Sequence, residues 1–240
     1  MDERAHHLEI RYLQELDQQG AELQKRMVAG DRLLRGEDRR VWVRFLMSLL
    51  NRHPHYVKKL HDLHNLMWVQ HEKQGIRELK AEFPYMDPIL IHAKFHQDWS
   101  QMREEARIDS LRRMMDFGWA GRVIQQARWQ VIDLSSSASE LLLSDKPVFR
   151  SGTFREPGDF IAVPLGPRHL FKASLGLSGS LKPMASQASR LVESMNEHTV
   201  ASASEFVISG GGDRLPHIDD LLGTRSARSI ADIMAEPFGL

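Results

Sequence analysis

At Trp129 the hydrophobic repeat of this chain changes from every third or fourth residue to every second, and no single kind of fold accommodates both halves. Before Trp129 the apolar residues fall at helical spacing. After it, Trp129, Val131 and Asp133 alternate with Gln130, Ile132 and Leu134, as along a strand with two unlike faces. Breakers follow the same division. Seven of the ten prolines lie from Pro147 onward and ten of the 16 glycines lie after residue 150, so the first half is free to run in long helices. Helices first and hairpin-linked strands second predict an α+β fold: a helical N-terminal half packed on a small, mostly antiparallel sheet in the C-terminal half.

The helical half divides at its own punctuation. A first helix is expected over about Glu3 to Met27, with Leu8, Tyr12, Leu16, Leu23 and Met27 near one stripe. Gly30 and Gly36 bracket the break after it. A second runs from about Asp38 to Asn51 on Val41, Trp42, Phe45, Leu46, Leu49 and Leu50. It stops at Arg52-His53-Pro54, because the residue before a proline is pushed out of the helical region. Pro54 opens a third helix, with Val57, Leu60, Leu63 and Met67 as its stripe. Asp87-Pro88 opens a fourth with Asp87 as its cap, burying Ile91, Phe95, Trp99, Met102 and Ala106. Gly118 and Gly121 flank Trp119 and allow a short fifth helix or a sharp turn.

In the second half Leu141-Leu142-Leu143 predicts a central strand buried on both faces. Phe160 to Val163 and Leu170 to Ala173 predict two more strands around the Pro164-Leu165-Gly166-Pro167 corner. Pro183 opens a helix with Ala188, Leu191, Val192 and Met195 on its stripe, and Phe206 to Ile208 suits a last strand. The tail beyond Asp213 reads as partly helical and partly flexible.

Composition excludes several kinds of chemistry. With no cysteine there is no disulfide, thiolate nucleophile or iron–sulfur cluster. The balance of 32 basic against 32 acidic residues indicates no basic patch, which leaves nucleic acid open as a partner without pointing to it. No apolar run approaches the roughly 20 residues of a membrane span. The charged start, MDERAHHLEIR, is no secretory signal, so a cytoplasmic protein without a membrane role is expected. Dinucleotide-binding, Walker and nucleophile-elbow motifs are all missing, so no nucleotide cofactor is indicated.

Two local features carry chemistry. Seven of the twelve histidines lie between His53 and His96. His61 and His64, and His92 and His96, are spaced to share a helix face. The metalloprotease glutamate is absent between the latter pair, so the expectation is a solvated face and no metal site. Ser144-Asp145-Lys146-Pro147 follows the apolar run directly. A carboxylate there could face a cleft as a general base or a divalent-metal ligand. Equally, Ser-Asp before a proline is good turn chemistry.

The ordered set Arg52-His53-Pro54, Ser144-Asp145-Lys146-Pro147 and Pro164-Leu165-Gly166-Pro167 resembles a family known as a domain of unknown function, DUF4238. The matching stretches are Trp42 to Pro54, Trp129 to Pro147, Phe160 to Pro167, and Leu191 to Val207 with Asn196. Gly166 stands where the family usually has serine, and the opening His-x-x-Pro segment is missing, as if the chain began inside the domain. The resemblance implies an arm over 1–36, a DUF4238-like domain over 37–209 (helical to 128, sheet from 129) and a tail over 210–240. It implies no established activity, but it singles out Asp145 and Asn196 as candidate catalytic residues and Arg52 and Ser144 as candidate substrate-binding ones. Arg52 could bind a phosphate, or pair with Asp145 as a buried strut.

Two functional readings follow. One is an enzyme or bacterial effector acting on a phosphate-containing substrate, nuclease-like, with Asp145 binding metal or activating water. The other is a non-catalytic protein-interaction module whose N-terminal helices form a homodimer or a partner surface.

Overall fold

The computed structural model describes residues 13–31, 34–96, 102–103, 105–106, 109, 118–176, 183–210 and 222–224. They form two compact units, one from residues 13–53 and 118–224, the other from residues 54–109.

In the first unit α1 (Gln14–Val28) and α2 (Glu37–Asn51) pack against each other. Leu16, Leu23 and Met27 of the predicted α1 stripe are buried, while Leu8 and Tyr12 lie outside the described residues. Contact is close at Gly20, where a Cβ would come within 2.5 Å of the Phe45 ring. The turn between the helices is held by Arg26, whose guanidinium reaches Asp31 at 2.8 Å and both oxygens of Asp38 at 3.0 Å. Gly36 begins α2 at φ +50° and ψ −108°, a conformation that essentially only glycine adopts.

After the short α5 (Trp119–Gln126; α3 and α4 belong to the second unit, below) the chain enters a four-stranded antiparallel sheet, as the alternation predicts. Its strands are β1 (Arg128–Asp133), β3 (Phe149–Arg150), β4 (Phe160–Gly166) and β5 (His169–Ser174), in the order β1-β5-β4-β3. Trp129 lies opposite Ala173, and Val131 opposite Phe171. One sheet face packs on α2: the Phe171 ring is 5.4 Å from Trp42 and 5.1 Å from Trp129. The other presents Ile132, Leu170 and Ala162 to Ala188, Val192 and Met195 of α6 (Ala185–Ser202). The helical period of α6 and the two-residue period of the strands thus meet in one core.

The Leu141-Leu142-Leu143 run departs from expectation. Only Leu143 and Ser144 form a strand, β2, which pairs with β6 (Val207–Ile208) in a separate two-stranded sheet. Leu141 and Leu142 are buried, but Leu142 takes its hydrogen bond from a side chain described below.

In the second unit α3 (Pro54–Glu82) starts at Pro54 as predicted. Asp87 caps α4 (Pro88–His96) by accepting the Ile89 N–H at 2.7 Å. Phe95 lies against Gly75, where there is no side chain to obstruct it. Met67 and Met102, expected inside, are 40% and 53% exposed, and Trp99 lies outside the described residues. Among the described residues no helix is long and apolar enough to cross a membrane.

Candidate functional site

The four residues singled out by sequence do not converge. Arg52, just past the end of α2, directs Nη1 at both carboxylate oxygens of Asp17, each at 2.8 Å. That pair is exposed, on a shallow depression beside Leu13 and Gln14. The expected Arg52–Asp145 strut is therefore not made. Its place is taken by the neighbouring residue: His53 Nε2 donates to Asp145 Oδ2 at 3.1 Å, with both side chains at least nine-tenths buried. The break before Pro54 explains the exchange. It ends the helix at Asn51 and lets consecutive side chains leave in different directions, Arg52 to solvent and His53 inward.

Asp145 is also bound by backbone. The Ser204 N–H lies 3.0 and 3.1 Å from its two oxygens. Burial pushes its carboxyl up, but the N–H groups of Ser204 and Glu205 and the His53 ring outweigh that and hold it below the usual carboxylate range. Beside it, buried Ser144 accepts the Lys146 N–H at 3.2 Å, the turn chemistry expected of Ser-Asp before proline.

Asn196 is 2% exposed and serves the run leading into β2. Its Oδ1 accepts the Leu142 N–H at 2.9 Å and its Nδ2 donates to the Glu140 carbonyl at 2.8 Å. One side-chain amide thus replaces a neighbouring strand for two backbone groups of the 140–142 segment.

The histidine pairs are occupied singly. His61 Nδ1 lies 3.1 Å from Asn65 Nδ2, and His64 Nε2 accepts the Trp68 indole N–H at 2.6 Å. His92 and His96 stack with ring centroids 6.1 Å apart, and His96 meets Glu72 at 3.3 Å. Among the described residues no three His, Asp or Glu side chains gather where they could hold a metal ion.

What the sequence did not point to is a cleft of about 330 Å³ beside β1, within the size range of ligand pockets. Met27, Leu34, Val131 and Phe171 supply apolar lining, and Arg39, Asp133 and His169 supply polar groups. The Arg39 guanidinium sits 3.9 Å over the Trp129 ring and donates to the carbonyls of Gln125 (3.1 and 2.6 Å) and Ala127 (2.9 Å). Burial lowers its pKa. Asp133 and His169 face each other across β1 and β5. Trp129 is the residue at which the period changes, but nothing in its neighbours in sequence foretells Arg39 stacked upon it.

A family model described as "Protein of unknown function (DUF4238)" matches residues 1–213 of the 240. The chain belongs to the DUF4238 family. No curated protein and no solved structure matches it. The match to DUF4238 begins at residue 1 and so takes in the helix ahead of the stretches on which the resemblance rested. In this member of DUF4238 the Ser-Asp-x-Pro turn, the Arg-x-Pro stop and the α6 asparagine serve three distinct local structures. His53 joins the turn to the stop.

Proposed function

We propose that this DUF4238 chain is a non-catalytic binding module whose docking place is the cleft beside β1. One observation carries the reading: the polar atoms of Asp145 and Asn196 are already spent on the chain itself. Asp145 accepts from Ser204 and His53, and Asn196 exchanges both its groups with Leu142 and Glu140. A general base or metal ligand has to offer a lone pair to something other than its own backbone. The apolar stripes of α1 and α2, the other candidate partner surface, pack within the unit, which favours the cleft.

The competing reading is an enzyme acting on a phosphate-containing substrate through Asp145, Asn196, Ser144 and Arg52. It asks Arg52 to leave Asp17, and it asks two separated groups to meet. Hydrolysis of bis-p-nitrophenyl phosphate, with magnesium or manganese supplied, separates the two readings. The binding module has no hydrolysis that depends on Asp145. An Asp145→Asn variant that still melts cooperatively as a folded protein but loses a measurable wild-type rate would overturn it.

A further inference from the structure

β1 is an edge strand, and its hydrogen-bond parity decides which of its groups are spent. The Leu134 N–H donates to Arg168 O at 2.8 Å, which makes Leu134 and Arg168 a hydrogen-bonded antiparallel pair. Such pairs recur every second residue, so Ile132, Gln130 and Arg128 direct their backbone groups at β5. Trp129 and Val131 then direct theirs away from the sheet. On that side β1 has no strand neighbour among the described residues. Both residues line the cleft, so the outward row of N–H and C=O groups borders a hollow of mixed polar and apolar lining.

Charge adds a second, independent feature. Arg39 uses Nε and Nη2 on carbonyls, leaving Nη1 without a hydrogen bond. Half-buried at the Trp129 end, it has no carboxylate partner among the described residues. Of the other charged or titratable groups lining the cleft, Asp31 pairs with Arg26 and Asp133 accepts the Ser135 N–H, while His169 lies opposite Asp133. A sheet edge open at Trp129 and Val131, the apolar side chains of Met27, Leu34 and Phe171, and a half-buried cation at one end are together what an extended acidic peptide requires.

We propose that the cleft takes an extended peptide that adds to the sheet alongside β1. Its backbone exchanges hydrogen bonds with Val131, one apolar side chain enters against Met27, Leu34 and Phe171, and an acidic residue reaches Arg39. This rests on the binding-module reading and names the partner of the same site.

The test uses the full chain as bait for a displayed library of random peptides, beside a Val131→Pro variant. Proline at 131 deletes only the outward N–H, and edge strands tolerate it. Thermal melting checks that the variant is folded, and amide exchange on the wild type gives a readout that needs no variant. The expected result is selection of extended sequences carrying an acidic residue, with affinity falling about tenfold in the variant. Bound peptide should slow exchange of the Val131 N–H, and replacing its acidic residue by the amide should weaken binding severalfold. Failure to select any peptide overturns the proposal. So does a ligand that occupies the cleft without protecting Val131, although the module reading then survives. Asp145-dependent phosphodiester hydrolysis sinks the module reading itself.

Discussion

His53 and Asp145 are 92 residues apart in sequence and 3.1 Å apart in space. The contact ties the end of α2 to the turn after β2, and the same carboxylate ties that turn to the start of the segment leading into β6. Asp145→Ala removes the carboxylate that the nine-tenths-buried His53 side chain and the Ser204 and Glu205 N–H groups share. The expected loss is about 2–3 kcal/mol. Asp145→Asn keeps an acceptor for Ser204 and should lose roughly half as much. Arg52→Ala breaks only an exposed pair and should cost under about 1 kcal/mol. Urea unfolding of the three variants checks the ranking; a loss in Arg52→Ala equal to that in Asp145→Ala contradicts it.

Acid should weaken the molecule through the same carboxylate. Its pKa is lowered in the folded state, so its contribution is fully present above the unfolded value, about 3.9. The contribution is lost as pH falls from there through the lowered folded value. Unfolding midpoints across that window should decline less steeply in Asp145→Asn than in wild type, and parallel curves would refute the linkage.

Asn196→Ala should cost about 2–3 kcal/mol, because it strands the Leu142 N–H and the Glu140 carbonyl together. Asn196→Asp supplies an acceptor but no donor and sets a carboxylate against the Glu140 carbonyl, so it should be at least as harmful. Calorimetric melting of the pair is decisive: an aspartate variant as stable as wild type would mean the Glu140 bond contributes nothing.

Gly36→Ala isolates backbone strain, since a Cβ there would meet nothing within 4 Å. With φ at +50° the expected destabilisation is about 1–2 kcal/mol, measurable by denaturant titration. Native stability would mean that the turn reaches α2 by another route.

Legibility in the sequence followed the range of the forces involved. β1 is within a residue of where the alternation puts it, because period 2 is a local property, and β5 is within a residue of the expected Leu170 to Ala173 strand. Pro54 and Asp87 announce their helices for the same reason. Leu141 to Leu143 misled because three apolar residues say only that a segment is buried, not what satisfies its backbone. A side chain 54 residues away does that work for Leu142. The two-residue β3 was too short to carry any period. Arg52 and His53 are adjacent, and no local rule says which of them turns inward. The cleft is assembled from α1, α2, β1 and β5, so only the completed fold brings Arg39 to Trp129.

Gln24 in α1 donates to the Leu165 carbonyl at 2.7 Å across 141 residues of sequence. A ribosome adding 5–20 residues each second takes on the order of ten seconds to supply that partner. For that interval the first two helices have each other but no sheet, and the ring of Trp42 waits for Phe171. The residues of the second unit emerge in between. Translation of this gene therefore exposes an apolar helix pair to the cell's holding chaperones before the strands that will cover it have been made.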